Sequence, residues 1–387
     1  MSIKILVIIP TYDEAANIPG LLDILLGSGT YKALDLNVLV VDDASPDGTG
    51  EIVLNAMTSH KNLHLLSGKK EGLGKAYMRG FEYALAELNP DIIVMMDSDF
   101  SHDPAAIPLL VEEINNGADY VIGSRYTQGG AIPGDWPLRR IVNSRVANYV
   151  AKAVGGIHPD VKDISGGFKA IRVSKLKEVG WESIQTYGYA FQMHLLHTFM
   201  ASNAVIREVP ITFSDRREGD SKMRMSDILE FIRVAYGLNP KSPVRQLTRF
   251  VAVGASGIIV NLGVLAMLAS LTSLPLIIAS AIAIEISILT NFLLHNRFTF
   301  QDDIDASPGT VASKAMESQG AKVFMRKLIS FNAASLGTAI LSLSAFTILH
   351  GLFGMFYLMA QLVGIVLAFA LNYQISSRVI WKVKKNA

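Results

Sequence analysis

The chain has 387 residues, enough for two or three domains; half are hydrophobic and only 18% are charged. The formal net charge is +1 and no block of like charge points to nucleic acid as a partner. There is no cysteine, which excludes disulfides and fits the cytosol.

The first apolar run, Ile3 to Ile9, is too short for a signal peptide and has no cleavage pattern. The N-terminal half is therefore expected to stay on the side where it is made. Short apolar runs then alternate with helical patterns. Strands are predicted at 3–9, 37–42, 62–66, 92–97, 119–123 and 204–209. Helices are predicted at 15–26, 49–59, 73–87, 104–116, 139–153 and 189–200. This alternation implies an α/β domain with a mainly parallel, doubly wound sheet, whose functional residues gather in loops after strands.

Three such loops carry suitable chemistry. The first is Pro10-Thr11-Tyr12-Asp13-Glu14-Ala15-Ala16-Asn17, and the second is Asp42-Asp43-Ala44-Ser45-Pro46-Asp47-Gly48-Thr49. The third, Asp97-Ser98-Asp99, follows the buried-strand pattern Ile92 to Met96. Carboxylates two apart on extended chain point to one side. Two hard oxygen ligands so placed suit Mg2+ or Mn2+ bridging a diphosphate. Asp47 and Thr49 read as helix caps, and His102 as an ordinary loop residue. Competing nucleotide motifs fail. Gly74-Lys75 lacks a Walker motif, because Lys69 stands where its first glycine belongs and Ala76 where Ser or Thr belongs. No Gly-x-Gly-x-x-Gly follows the first strand.

The ordered set Pro10-Thr11-Tyr12-Asp13-Glu14, Asp42 to Thr49 and Asp97-Ser98-Asp99 resembles glycosyltransferase family 2. Gly123-Ser124-Arg125-Tyr126 and Phe213-Ser214-Asp215-Arg216-Arg217-Glu218-Gly219-Asp220-Ser221-Lys222 narrow the resemblance to polyprenyl- or dolichyl-phosphate mannose synthases, in order through residues 3–225. It implies a GT-A fold and inverting, metal-dependent transfer of mannose from GDP-mannose to a polyprenyl phosphate. Pro10, Tyr12, Glu14, Val41 and Asp43 would hold the nucleoside. Asp97, Ser98 and Asp99 would hold Mg2+ or Mn2+ and the diphosphate; Ser101 would be a further metal ligand, a shorter side chain than the Gln some relatives carry there. Arg125, Arg216 and Lys222 would contact phosphates, with Arg140 and Ser144 near the acceptor phosphate. Asp163 precedes Ser165-Gly166-Gly167-Phe168, where related transferases place a catalytic acid. A phosphate acceptor brings its own oxyanion, so Asp163 is expected to orient groups rather than act as a base. Gln192 does not open a Gln-x-x-Arg-Trp motif, which favours a single transfer. One alternative is UDP-glucose or another nucleotide sugar as donor. Another is a lipid translocator or scaffold with an inactive soluble half.

Residues 223–246 read as an amphipathic linker with Met225, Ile228, Leu229, Ile232 and Tyr236 at helical spacing, suited to a bilayer interface or to packing on the soluble domain. Beyond it, the only Asp, Glu, Lys or Arg between Phe250 and Asn296 is Glu285, and between Leu328 and Ser377 there is none. Four spans are expected, at about 248–271, 276–296, 328–350 and 355–377. Lys241, Arg245 and Arg249 precede the first span, Arg297, Lys314, Lys322, Arg326 and Lys327 separate the second from the third, and Arg378, Lys382, Lys384 and Lys385 follow the fourth. The positive-inside rule puts both termini and the catalytic domain in the cytoplasm, at the cell membrane. Arg249-Phe250 and Lys327-Leu328 open two similar halves; Arg297-Phe298 and Arg378-Val379 close them. This parallel duplication resembles the GtrA-like membrane domain family over about residues 245–383. The expected division is 1–222 catalytic, 223–246 linker and 247–383 membrane domain.

Overall fold

Apolar runs buried on both faces make the centre of a seven-stranded sheet. In this computed structural model the described residues are 3–27, 31, 34–134, 136–186, 188–214, 225–240, 242–300 and 312–381. They fall into two units, Met1–Ser242 and Pro243–Ala387.

The strands of the first unit are β1 (Lys4–Thr11), β2 (Asp35–Asp42), β3 (Leu63–Ser67), β4 (Ile92–Met95), β5 (Tyr120–Ser124), β6 (Lys169–Arg172) and β7 (Ile206–Pro210). Their spatial order is β3-β2-β1-β4-β6-β5-β7. The pairs β3–β2, β2–β1, β1–β4 and β5–β7 are parallel, while β6 runs antiparallel to both β4 and β5. Two antiparallel steps restore the direction, so β1, β2, β4 and β5 all end on one sheet edge. The sheet is thus mixed rather than simply doubly wound. The sequence reading missed β6, since Lys169-Ala170-Ile171-Arg172 is short and charged at both ends.

The helices are α1 (Ile18–Leu22), α2 (Thr49–Met57), α3 (Leu73–Tyr83), α4 (Ile107–Asn115), α5 (Leu138–Ala153), α6 (Val173–Leu176), α7 (Phe191–Ala201) and α8 (Met225–Leu238). Strand alternation sorts them into two cores. Leu6, Ile8, Leu39 and Val41 face Tyr77 and Phe81 of α3 and Phe191 of α7. Ile5, Val7, Val38 and Val40 face Ile18 and Leu21 of α1 and Ile107 and Leu110 of α4. Gly80 allows α3 to lie close on the sheet: a Cβ there would come within 2.9 Å of Ile8 Cγ2.

Among the described residues of the second unit the long helices are α9 (Pro243–Leu271), α10 (Leu276–Leu294), α11 (Ala312–Phe346) and α12 (Tyr357–Ile375). Among the described residues, three helical stretches are long and apolar enough to cross a membrane: Pro243–Leu271, Lys322–Leu352 and Leu362–Ile380. α10 adds 19 residues, with Glu285 near its middle accepting a 2.6 Å hydrogen bond from Asn332 Nδ2. Phe250, Phe292, Phe300, Phe331, Ile380 and Trp381 form one buried cluster, which joins residues from the start and the end of both sequence halves.

Candidate functional site

The loops after β1 and β2 are knitted by side-chain oxygens. Asp42 accepts from Thr11 Oγ1 at 3.0 Å, Ser45 N at 3.0 Å and Ser45 Oγ at 2.6 Å. Asp47 accepts from Ala15 N at 2.9 Å and from Thr49 N and Oγ1 at 3.1 and 2.6 Å. These acids shape turns. Asp43 is different: its carboxylate pairs with the Arg79 guanidinium, which also donates to Lys69 O. Burial raises the Asp43 pKa, and the Arg79 contact opposes that rise. The sequence reading passed over Arg79, which lies on α3 far from any motif; Gly68 makes room for it, since a Cβ there would be 2.6 Å from Arg79 Cζ. Tyr12 presents its ring to the Lys70 ammonium, 3.1 Å from the centroid. Glu14 accepts from Asn17 Nδ2, and its own N–H donates to Thr49 Oγ1. Pro10 is opposite Val41 in the β1–β2 ladder. Val41 is fully buried in the core.

The third loop leaves the same edge after β4. Ser98, Asp99 and Ser101 are nearly inaccessible, whereas the Asp97 carboxylate is one-third exposed. Asp99 Oδ1 accepts from Ser101 N at 3.0 Å. Phe100 between them has φ 63, a left-handed conformation that costs a non-glycine residue of order 1 kcal/mol. Ser101 O accepts from Ser214 N at 3.1 Å. Among the described residues no three His, Cys, Asp or Glu side chains converge as a complete metal site. Asp97 and Asp99, two residues apart on one loop, are the hard oxygen donors that suit a divalent cation whose remaining ligands would come from a diphosphate and water.

Arg125 and Asp163 meet beside this loop. Arg125 Nε donates to Asp163 Oδ2 and Nη2 to Oδ1, both at 2.7 Å; the Arg125 N–H adds a 2.9 Å bond to Oδ2. Gly166 N donates to Oδ1 at 3.2 Å. Burial alone would raise the Asp163 pKa, but the Arg125 fork and backbone N–H hold it below the usual carboxylate range. A carboxylate with four donors and no solvent access is a poor base. Beneath it, Lys169 is fully buried and donates to Gln192 Oε1 at 2.7 Å and Gln192 O at 3.2 Å; burial brings its pKa down to about 7. Neither Lys169 nor Gln192 was legible as a pair in the sequence.

Ser144 on α5 accepts from Tyr126 Oη at 2.6 Å, and the Arg140 guanidinium stacks 3.9 Å over Trp136. Arg216 and Lys222 lie outside the described residues. α5 exposes Leu138, Val142, Val146 and Tyr149, with exposed Arg139 and Arg145 beside them. α8 packs through Phe231 and Ala235 while Met225, Leu229 and Ile232 remain exposed; Ile228 and Tyr236 are half-buried. The linker stripe therefore divides: the residues that hold α8 to the domain differ from most of those that made it look amphipathic. An apolar surface flanked by arginines is suited to a lipid interface.

Residues 6–180 match the model of glycosyl transferase family 2, and residues 249–381 match the GtrA/DPMS transmembrane domain. A dolichol-phosphate mannosyltransferase of Pyrococcus furiosus is 35% identical over 379 residues, 98% of this chain and 99% of that one. A polyprenol monophosphomannose synthase of Mycolicibacterium smegmatis is 37% identical over 59% of this chain and 83% of its own length. An undecaprenyl-phosphate mannosyltransferase of Micrococcus luteus is 38% identical over 57% of this chain and 87% of its own. The GT-A-like sheet, its acidic loop and the helical unit that follows in the sequence share one chain with these matches, and the protein belongs to the dolichol- and polyprenol-phosphate mannosyltransferases of glycosyl transferase family 2 that carry a GtrA/DPMS transmembrane domain.

Proposed function

We propose that this protein transfers mannose from GDP-mannose to a polyprenyl phosphate, with inversion, giving polyprenyl-phosphate mannose and GDP. The observation that carries the reading is the gathering of the Tyr12–Asp43 loops and the Asp97–Asp99 loop on one sheet edge, in a unit that also exposes an apolar stripe among arginines. The first set suits a nucleoside diphosphate, the second a lipid-borne acceptor.

Tyr12 and Asp43 hold the nucleoside, with Arg79 keeping the Asp43 carboxylate in place. Asp97 and Asp99 would hold Mg2+ or Mn2+, which when bound supplies positive charge to the departing diphosphate. An acceptor phosphate oxygen attacks the anomeric carbon. The new phosphate–carbon bond forms as the bond to the GDP oxygen breaks, and the configuration inverts. The attacking oxygen is already anionic at neutral pH, so no protein base removes a proton. The closed Arg125–Asp163 pair agrees with that: its carboxylate orients Arg125. Arg140, Arg216 and Lys222 are assigned to the acceptor phosphate, as guanidinium and ammonium groups suited to it.

The charge pattern around the helices of the second unit supports a cytoplasmic catalytic unit and cytoplasmic termini at the cell membrane. Residues 1–222, 223–246 and 247–383 are proposed as catalytic domain, interfacial linker and membrane domain. A panel of labelled GDP- and UDP-sugars offered with a short polyprenyl phosphate tests the donor. Label should enter lipid from GDP-mannose; incorporation from UDP-glucose alone would replace that assignment.

A further inference from the structure

His102 follows the acidic pair, and its ring is only 2% exposed. It stacks on Phe168, with centroids 5.1 Å apart and planes 12° from parallel. Phe213 meets it edge-on at 5.7 Å. His102 Nδ1 accepts the Asp97 backbone N–H at 3.1 Å. A ring that accepts at Nδ1 and is neutral carries its proton on Nε2. That nitrogen stands 3.9 Å from Asp97 Oδ2, beyond hydrogen-bond range. Gly167 leaves room for both partners: a Cβ there would lie 3.3 Å from His102 Cε1 and 3.4 Å from Asp97 Oδ2.

The Asp97–His102 loop is thus fastened twice. One tie runs from the His102 ring to the Asp97 main chain. The other runs from Ser101 O to Ser214 N, next to the Phe213 that packs on the same ring. Between the ties lies the left-handed Phe100, a conformation that persists only when its surroundings hold it.

We propose that His102 is a positioning residue. Its Nδ1 acceptor holds the Asp97 main chain so that Asp97 and Asp99 are preset for a divalent cation, and its ring ties that loop to the Phe213–Ser214 segment. The inference rests on the reading of Asp97 and Asp99 as cation ligands.

The test is Mn2+ binding to the full chain in detergent, followed by electron paramagnetic resonance titration, with thermal melting to monitor folding. Wild type should bind and Asp97→Asn should not; absence of wild-type binding overturns the cation reading and this inference with it. His102→Phe keeps a ring in an aromatic slot and removes the acceptor. It should weaken Mn2+ binding about ten-fold, the lower range for a lost outer-shell partner. His102→Leu and His102→Asn both remove the ring but differ in the acceptor, and they answer the question if the Phe variant melts early. Leu should lose about ten-fold and Asn should stay within about three-fold of wild type. Where wild type binds, Phe binding equal to wild type, or equal binding by Leu and Asn, overturns the positioning role alone.

Discussion

Arg125 and Asp163 face each other as fork to fork, with two 2.7 Å bonds between side chains that are both almost inaccessible. The two groups cancel each other's charge, and the fully donated Asp163 carboxylate is poorly placed to act as a base. Asp163→Asn should leave a buried guanidinium without its counter-charge and destabilise the fold by about 3–5 kcal/mol at neutral pH. The pKa of Asp163 is lowered in the folded state, so its contribution is present above the unfolded value of about 4 and is lost as pH falls through the folded value. Chemical denaturation of wild type and variant should therefore give stability curves that converge below about pH 4. A gap that stayed constant well below that pH would contradict the assignment.

Asp97→Asn and Asp99→Asn should each lower turnover by at least ~100-fold, about 2.7 kcal/mol of transition-state stabilisation. Melting temperatures should change little for Asp97, whose carboxylate is partly exposed, and more for Asp99, which accepts the Ser101 N–H. Steady-state rates under limiting metal, measured beside melting curves, check both statements.

Arg79 holds Asp43 from outside any sequence motif. Arg79→Leu should weaken GDP binding about ten-fold, equivalent to about 1.4 kcal/mol, while turnover at saturating donor stays near wild type. Calorimetry of GDP binding beside the rate at saturation separates the two. A large fall in turnover with unchanged GDP affinity would move Arg79 away from the nucleoside.

The exposed residues of α5 and α8 predict a membrane-facing surface. Residues 1–242 should bind anionic vesicles by co-sedimentation, and Val142→Asp with Leu229→Asp should reduce that binding at least ~10-fold, since each removes an apolar contact and adds a repelled charge. Circular dichroism should be unchanged, because neither side chain is buried.

Glu285 accepts from Asn332 within the helical unit. Glu285→Gln keeps a hydrogen-bonding group without a charge, so mannosyl transfer should persist within about two-fold if the pair only joins helices. Loss of transfer in a folded variant, measured in reconstituted vesicles, would tie the helical unit to catalysis.

Much of this fold is written in local pattern. Ile92 to Met96 reads as a buried strand because nothing polar interrupts it; Asp97 and Asp99, which two-residue periodicity would put on one side, lie past the end of β4 in the loop, one carboxylate a third exposed and the other nearly buried. What escaped depends on contacts between distant segments. Lys169-Ala170-Ile171-Arg172 has no strand signature alone; it becomes β6 by fitting between β4 and β5. His102 reads as an ordinary loop residue until Phe168 and Phe213, from later segments, enclose it. Val41 sits among site motifs yet points into the core, a consequence of side-chain alternation along β2. Arg79 shows no motif because its partner, Asp43, is 36 residues away.

The most direct test of the central claim combines donor, acceptor and stereochemistry. The full chain is reconstituted in vesicles with GDP-mannose, divalent metal and either a polyprenyl phosphate or the corresponding polyprenol, and the anomeric configuration of the lipid product is read by NMR. The predicted result is product from the phosphate alone, with the configuration opposite to that of the donor. Product from the polyprenol, or a retained configuration, would contradict attack by a lipid phosphate oxyanion.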